Sequence, residues 1–241
     1  MTQTEFIHTC QTLFEANGLS CSEEQAKKLH TLTERMLLVN QTMNLTAIKE
    51  EKVIILRHYV DSITLSAHVA KDSTLMDVGC GAGFPTLPLA IFRPDLAITA
   101  LDGTAKRIAY VKETAELLGL TNVTAIAGRA EEYAQRTEYR ETFDVVTARA
   151  VAALPVLCEL CLPFARVGGA VVAMKSAQAK EEIAQAASCI RICGGTLHKE
   201  EACDLTDGLS TEKRTLVVIE KTTATPKIYP RHFSKISKKP L

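Results

Sequence analysis

Thr74-Leu75-Met76-Asp77-Val78-Gly79-Cys80-Gly81-Ala82-Gly83-Phe84-Pro85 decides the fold. A short apolar run ends in an acidic residue and three alternating glycines, the pattern of a strand, a tight turn and a helix start. Alternating glycines let the backbone take positive φ and leave no side chain between main chain and ligand. A flat, bulky, nucleotide-like ligand can therefore lie directly on the turn.

The spacing separates two cofactor classes. A dinucleotide fingerprint needs G-x-G-x-x-G/A, with the pyrophosphate at the helix N-terminus. Gly79-x-Gly81-x-Gly83 is one residue too tight for it, and reading from Gly81 and Gly83 places Thr86 at the third position. Asp77 followed by G-x-G-x-G resembles the turn of S-adenosylmethionine-dependent methyltransferases, whose cofactor has no pyrophosphate. Another nucleotide, or a turn that only joins strand to helix, remains the alternative at this point.

Outward from the turn, strands and helices alternate. Strands are expected over 74–78, 96–101, 122–127, 143–148, 169–174, 196–203 and 214–220, with helices over 85–92, 104–118, 129–138, 154–162 and 177–192. This order predicts an α/β, Rossmann-like, mostly parallel seven-stranded sheet with helices on both faces. The last two strands have no helix between them, which suits a final strand inserted antiparallel. Before the turn, residues 3–17 and 22–43 carry apolar residues at helical spacing, Leu29, Leu32, Met36 and Val39 among them, and Ser22 with two following glutamates reads as a cap and first turn. Asn44-Leu45-Thr46-Ala47-Ile48 interrupts the pattern, which resumes from Glu50 through Leu65. His58 in that stretch reads as a packed or hydrogen-bonded residue ahead of an acid–base group. The expected organisation is a helical cap over 1–72, a cofactor-binding core over 73–222 and a basic tail over 223–241, all one compact unit.

The 241 residues, 46% of them hydrophobic, suffice for one α/β domain with an appendage. No signal-like start is present, no apolar run reaches the roughly 18 to 20 residues of a membrane helix, and the eight cysteines are scattered. These features lead to the expectation of a cytoplasmic protein with reduced thiols. Cys158 with Cys161, and Cys189 with Cys193, have core spacing and lack a second matched pair, so no metal site is expected. The formal net charge is zero, yet Lys221, Lys227, Arg231, Lys235, Lys238 and Lys239 close the chain without one acidic residue. Interleaved with Tyr229, His232 and Phe233, they form either a contact for nucleic-acid phosphates and bases or a solvated terminus; Arg231, Lys238 and Lys239 are the candidates for such a contact, which would be with RNA under the resemblance given below.

In an open sheet of this kind, ligands bind beyond the carboxyl ends of the strands. The first strand delivers Gly79 to Phe84. The second delivers Asp102, placed to accept from both ribose hydroxyls. The third ends in Gly128-Arg129-Ala130-Glu131, where a backbone N–H and a carboxylate can meet an adenine edge; the fourth ends in Thr147-Ala148-Arg149-Ala150. Each has a plainer reading: Asp102 or Glu131 as a helix-start carboxylate, Arg149 as a structural ion-pair partner. Amine methylation is commonly accompanied by an Asn/Asp-Pro-Pro-aromatic loop after the fourth strand, and that loop is missing here. A ring nitrogen such as guanine N7 carries no proton to lose, so in-line positioning suffices and no catalytic base is assigned. Arginine donation to N7 would block the attacking lone pair, which leaves Arg149 a cofactor or phosphate role.

Several stretches together resemble the glucose-inhibited division protein B family of bacterial small-subunit ribosomal RNA guanine-N7 methyltransferases. They are Asn44 to Ile48, Arg57-His58-Tyr59-Val60-Asp61-Ser62, the glycine turn with Phe84-Pro85, Gly128 to Glu131, Phe143 to Ala152, Tyr229-Pro230-Arg231 and Lys239-Pro240-Leu241. The resemblance implies a class I methyltransferase fold and methyl transfer from S-adenosyl-L-methionine to N7 of a guanine in the 530 loop of 16S ribosomal RNA. It places Gly79, Phe84, Ala130, Glu131 and Arg149 on cofactor-binding positions, beside Asp102. The chain departs from the family at Gly103-Thr104, where Ser-Leu is expected, and at His232-Phe233-Ser234 and Ile236-Ser237, where a basic, glycine-containing run is usual. Two other readings stand beside it: a methyltransferase acting on a small molecule or protein, and a non-catalytic RNA-binding assembly factor.

Overall fold

A computed structural model describes residues 1–176 and 179–241. The chain opens with α1 (Gln3–Ala16) and α2 (Glu23–Met43), each started by a capping box: Thr2 with Glu5, and Ser22 with Gln25. Asn44 ends α2 at φ 51°, a left-handed position that asparagine tolerates. A helical segment follows in four pieces: α3 (Glu51–Ile54), a π turn (Ile55–Val60), α4 (Asp61–Thr64) and a 3-10 turn (Leu65–His68).

The alternating part then begins with β1 (Thr74–Val78), α5 (Thr86–Phe92), β2 (Ala97–Asp102), α6 (Ala105–Leu117) and β3 (Val123–Ala127). It continues through α7 (Ala130–Tyr133), β4 (Phe143–Arg149), α8 (Leu154–Cys161), β5 (Ala165–Ser176), α9 (Ala179–Ile192) and β6 (Gly195–Ala202). A two-residue ladder of β7 (Leu205–Thr206) and β8 (Thr211–Glu212) precedes β9 (Arg214–Lys221), and α10 (Phe233–Lys238) closes the chain.

The seven-stranded sheet has the order β3-β2-β1-β4-β5-β9-β6. β9 is antiparallel to both its neighbours, β5 and β6, as the missing crossover helix predicts. Strands buried on both faces read as continuous apolar runs: in β9, Leu216 and Val218 join the cluster shared with α1, α2 and α5, while Val217 and Ile219 join the cluster under α8 and α9. The N-terminal helices thus share the core of one sheet face.

One expectation changes. The helix expected over 129–138 is a single turn, because Arg140 folds back and donates to the Ala134 carbonyl at 2.9 Å while reaching the tail carbonyls of Tyr229 and Thr225. Of the helix expected over 177–192, residues 177 and 178 lie outside the described residues. Sequence periodicity missed α10, which is too short to show a repeat.

Candidate functional site

The glycine turn leaves β1 with Gly79, Gly81 and Gly83 all at positive φ. A side chain at Gly79 would meet Val151 Cγ2 at 2.6 Å, whereas at Gly81 only the Gly79 carbonyl lies within 4 Å, at 3.9 Å. Open space therefore stands above the middle of the turn. Asp77, fully buried at the end of β1, accepts from Thr86 Oγ1 at 2.6 Å and from Thr86 N–H at 3.3 Å, which fixes the first turn of α5. Burial pushes its carboxyl up to about 6, against the pull of Thr86 and Arg149. Among the described residues its Oδ1 has no hydrogen-bond partner.

At the end of β2, Asp102 is buried and holds the turn in place: Oδ2 accepts from Gly81 N–H at 3.0 Å and Oδ1 from Thr104 N–H at 2.8 Å. It lines a cavity of about 310 Å³ with Gly79, Gly103, Ala130, Glu131 and Phe233. Four of the six expected cofactor residues, Gly79, Asp102, Ala130 and Glu131, meet in this one cavity.

Phe84 and Arg149 form a second cluster. The Arg149 guanidinium lies over the Phe84 ring at 5.4 Å, and His58 stacks on that ring at 4.6 Å and 12°. Arg149 donates to Asp61 Oδ2 at 2.8 Å and to the Arg57 carbonyl at 2.9 Å, so its guanidinium ties β4 to the π turn. His58 Nδ1 lies 3.5 Å from Arg149 Nη2 and its Nε2 lies 3.0 Å from Thr46 Oγ1. With a cation facing Nδ1, the proton is assigned to Nε2. Burial first, and then the charge of Arg149, pushes the imidazole down to about 3, so His58 is neutral at physiological pH.

The tail is packed. Arg231 pairs in bidentate fashion with fully buried Glu159 of α8, at 2.8 and 2.6 Å, and donates its backbone N–H to the same carboxylate at 2.9 Å. The guanidinium that the sequence reading offers as an RNA contact is thus engaged with Glu159. Lys221 also leaves the basic face: it is buried and donates to Glu141, the Leu162 carbonyl and Thr225. Lys238 and Lys239 are exposed, and among the described residues neither has a carboxylate partner within 4.0 Å. Sequence reasoning missed Asp61 and Thr86, and it read Phe233 as a tail aromatic for nucleic-acid bases, not as a wall of this cavity. The signal for Phe233 was present, as an aromatic residue at a point of departure in the tail.

Among the described residues, no group of three or more His, Cys, Asp or Glu side chains is placed to hold a metal. Among the described residues, no helix is long and apolar enough to cross a membrane.

Residues 25–207 match the family described as GidB, rRNA small subunit methyltransferase G. The chain is 38% identical over 245 residues to ribosomal RNA small subunit methyltransferase G of Leuconostoc mesenteroides, covering all of both chains. Its identity to the same-named protein of Exiguobacterium sibiricum is 41% over 243 residues, again across both whole chains. In Limosilactobacillus reuteri the figure is 44% over 230 residues, 93% of this chain and 95% of the relative. Among solved structures, a SAM-dependent methyltransferase from Aquifex aeolicus superposes with a TM-score of 0.52 at 16% identity, covering 69% of this chain and 92% of that one. Geranyl diphosphate C-methyltransferase from Streptomyces coelicolor gives 0.52 at 15% identity, covering 73% and 85%. These two likenesses speak for the fold.

Proposed function

The chain belongs to the GidB family of small-subunit ribosomal RNA methyltransferases, and we propose that it methylates N7 of a guanine in the 530 loop of 16S ribosomal RNA, with S-adenosyl-L-methionine as methyl donor. The observation that carries the reading is the cavity at the strand ends, in which Asp102 and Glu131 share walls with a glycine turn left open at Gly81.

The residues fit that cofactor. Gly81 leaves room for a flat ligand at van der Waals distance from the backbone. Asp102 retains lone pairs beyond the two N–H groups it already accepts, enough for ribose hydroxyls. Ala130 and Glu131 offer a main-chain group and a carboxylate for the adenine edge. When bound, the cofactor supplies an electrophilic methyl group on a sulfonium.

What the protein adds is orientation. Guanine N7 attacks through a free lone pair, so no side chain need take a proton, and neutral, half-buried His58 is not positioned as a base by its partners Thr46 and Arg149. Exposed Lys238 and Lys239 support the reading of the tail surface as a phosphate contact, whose strength falls with salt. A ribosomal RNA substrate supports a cytoplasmic location for the working protein.

Incubation with labelled S-adenosyl-L-methionine and small-subunit particles that lack the modification tests the proposal. Label in 16S ribosomal RNA supports it; label only in protein or a small molecule refutes it.

A further inference from the structure

α10 sits against the same cavity that the strand ends define, and the tail that carries it is anchored at several points. Arg231 is pinned to Glu159. The Tyr229 and Pro230 carbonyls accept from Arg140 and Gln135, at 3.0 and 3.2 Å. Ile236 is fully buried beside Val156 and Leu160 of α8. These contacts leave Phe233 lining the cavity with Asp102, Gly103, Ala130 and Glu131.

Phe233 does more than fill a gap. Its backbone N–H donates to Glu131 Oε1 at 3.3 Å, and Arg129 Nε approaches the same oxygen at 3.4 Å. The Arg129 guanidinium lies 4.8 Å from the centre of the Phe233 ring. Glu131 Oε1 is thereby held, while Oε2 takes no donor among the described residues. An aromatic wall beside a fixed carboxylate oxygen suits a flat purine that carries an exocyclic amine: the ring supplies dispersion and stacking surface, and the carboxylate accepts from the amine.

We infer that α10 is part of the cofactor site, with Phe233 walling the adenosine end and fixing Glu131, so that a docked tail and a bound cofactor stabilise one another. The inference rests on the S-adenosyl-L-methionine reading given above. It assigns the atypical His232-Phe233-Ser234 stretch a cofactor-binding role. Reciprocity follows from linkage: a ligand that uses contacts present only in the docked tail must favour docking by the same free energy.

Calorimetric titration of the full chain with S-adenosyl-L-homocysteine, the demethylated product, reads the contact without any turnover. Phe233→Ala should raise Kd about tenfold, the scale of one lost aromatic stacking contact, and Phe233→Tyr should restore it. In the unsubstituted protein, saturating S-adenosyl-L-homocysteine should slow tryptic cleavage after Lys235, a readout that needs no variant. An unchanged Kd in a folded Phe233→Ala protein, or cleavage at the same rate with and without ligand, overturns the inference and leaves the cofactor reading standing. Failure of the unsubstituted protein to bind S-adenosyl-L-homocysteine overturns both.

Discussion

Asp102 and Gly81 are joined by a hydrogen bond of 3.0 Å from the glycine N–H to Oδ2, so the carboxylate expected to hold a ribose also holds the turn on which the ligand lies. One side chain at the end of β2 thus sets the shape of the loop that ends β1. Two substitutions test these duties. Asp102→Ala removes both, and S-adenosyl-L-homocysteine affinity should fall about ten- to a hundredfold, the worth of one or two hydrogen bonds to a charged group. Asp102→Asn should also lose affinity, because its amide nitrogen must face the N–H of either Gly81 or Thr104. Calorimetric titration of both variants checks this.

Gly79→Ala should destabilise the protein by about 2 to 4 kcal/mol, from the left-handed backbone and from overpacking. The added methyl would lie 2.6 Å from Val151 Cγ2, and φ is +76°. Adding Val151→Ala should recover the steric part and leave the conformational part. Urea unfolding of the single and double variants measures the two.

The pair of Arg231 with Glu159 predicts an asymmetric result. Arg231→Met leaves a fully buried carboxylate without its cation and should cost about 3 kcal/mol or more, whereas Arg231→Met with Glu159→Leu should recover most of it. Thermal melting of the three proteins is the check; equal losses in the single and double variants would show that the carboxylate is not the source.

His58 makes acid stability legible. Its imidazole is held down to about 3 from an ordinary 6.5, first by burial and then by Arg149. A folded-state value below the unfolded one gives stability that is present above 6.5 and is lost as pH falls toward 3. Asp77, raised to about 6 by burial, acts in the opposite sense over part of this range, so the comparison must be made between proteins that share it. The advantage of the unsubstituted protein over His58→Gln should shrink by about 2 kcal/mol between pH 7 and pH 5, as read by urea unfolding at the two values.

Much of this was legible in the chain because backbone and burial leave period-two and helical patterns. Gly79, Gly81 and Gly83 announce a turn with positive φ, and the apolar run of β9 announces a strand buried on both faces. The missing helix before β9 announces its antiparallel insertion. Partner choice leaves no such trace. Nothing near Arg231 in sequence points to Glu159 on α8, and nothing near Arg149 singles out Asp61 on α4. A run of cations therefore reads as one basic surface until the fold divides it into buried Lys221, paired Arg231 and exposed Lys238 and Lys239. α7 came out too long for a related reason: Arg140 and the tail carbonyls that turn the chain there are distant in sequence.

The central claim is methyl transfer to a guanine N7, and chemical mapping of that product tests it most directly. Small subunits lacking the modification would be incubated with the protein and S-adenosyl-L-methionine, then treated with borohydride and aniline, which cleave RNA at N7-methylguanine. New cleavage at one guanine of the 530 loop, weakened with Asp102→Ala at limiting S-adenosyl-L-methionine, is the predicted result. No new cleavage, from a protein that binds S-adenosyl-L-homocysteine and methylates another acceptor, would contradict it.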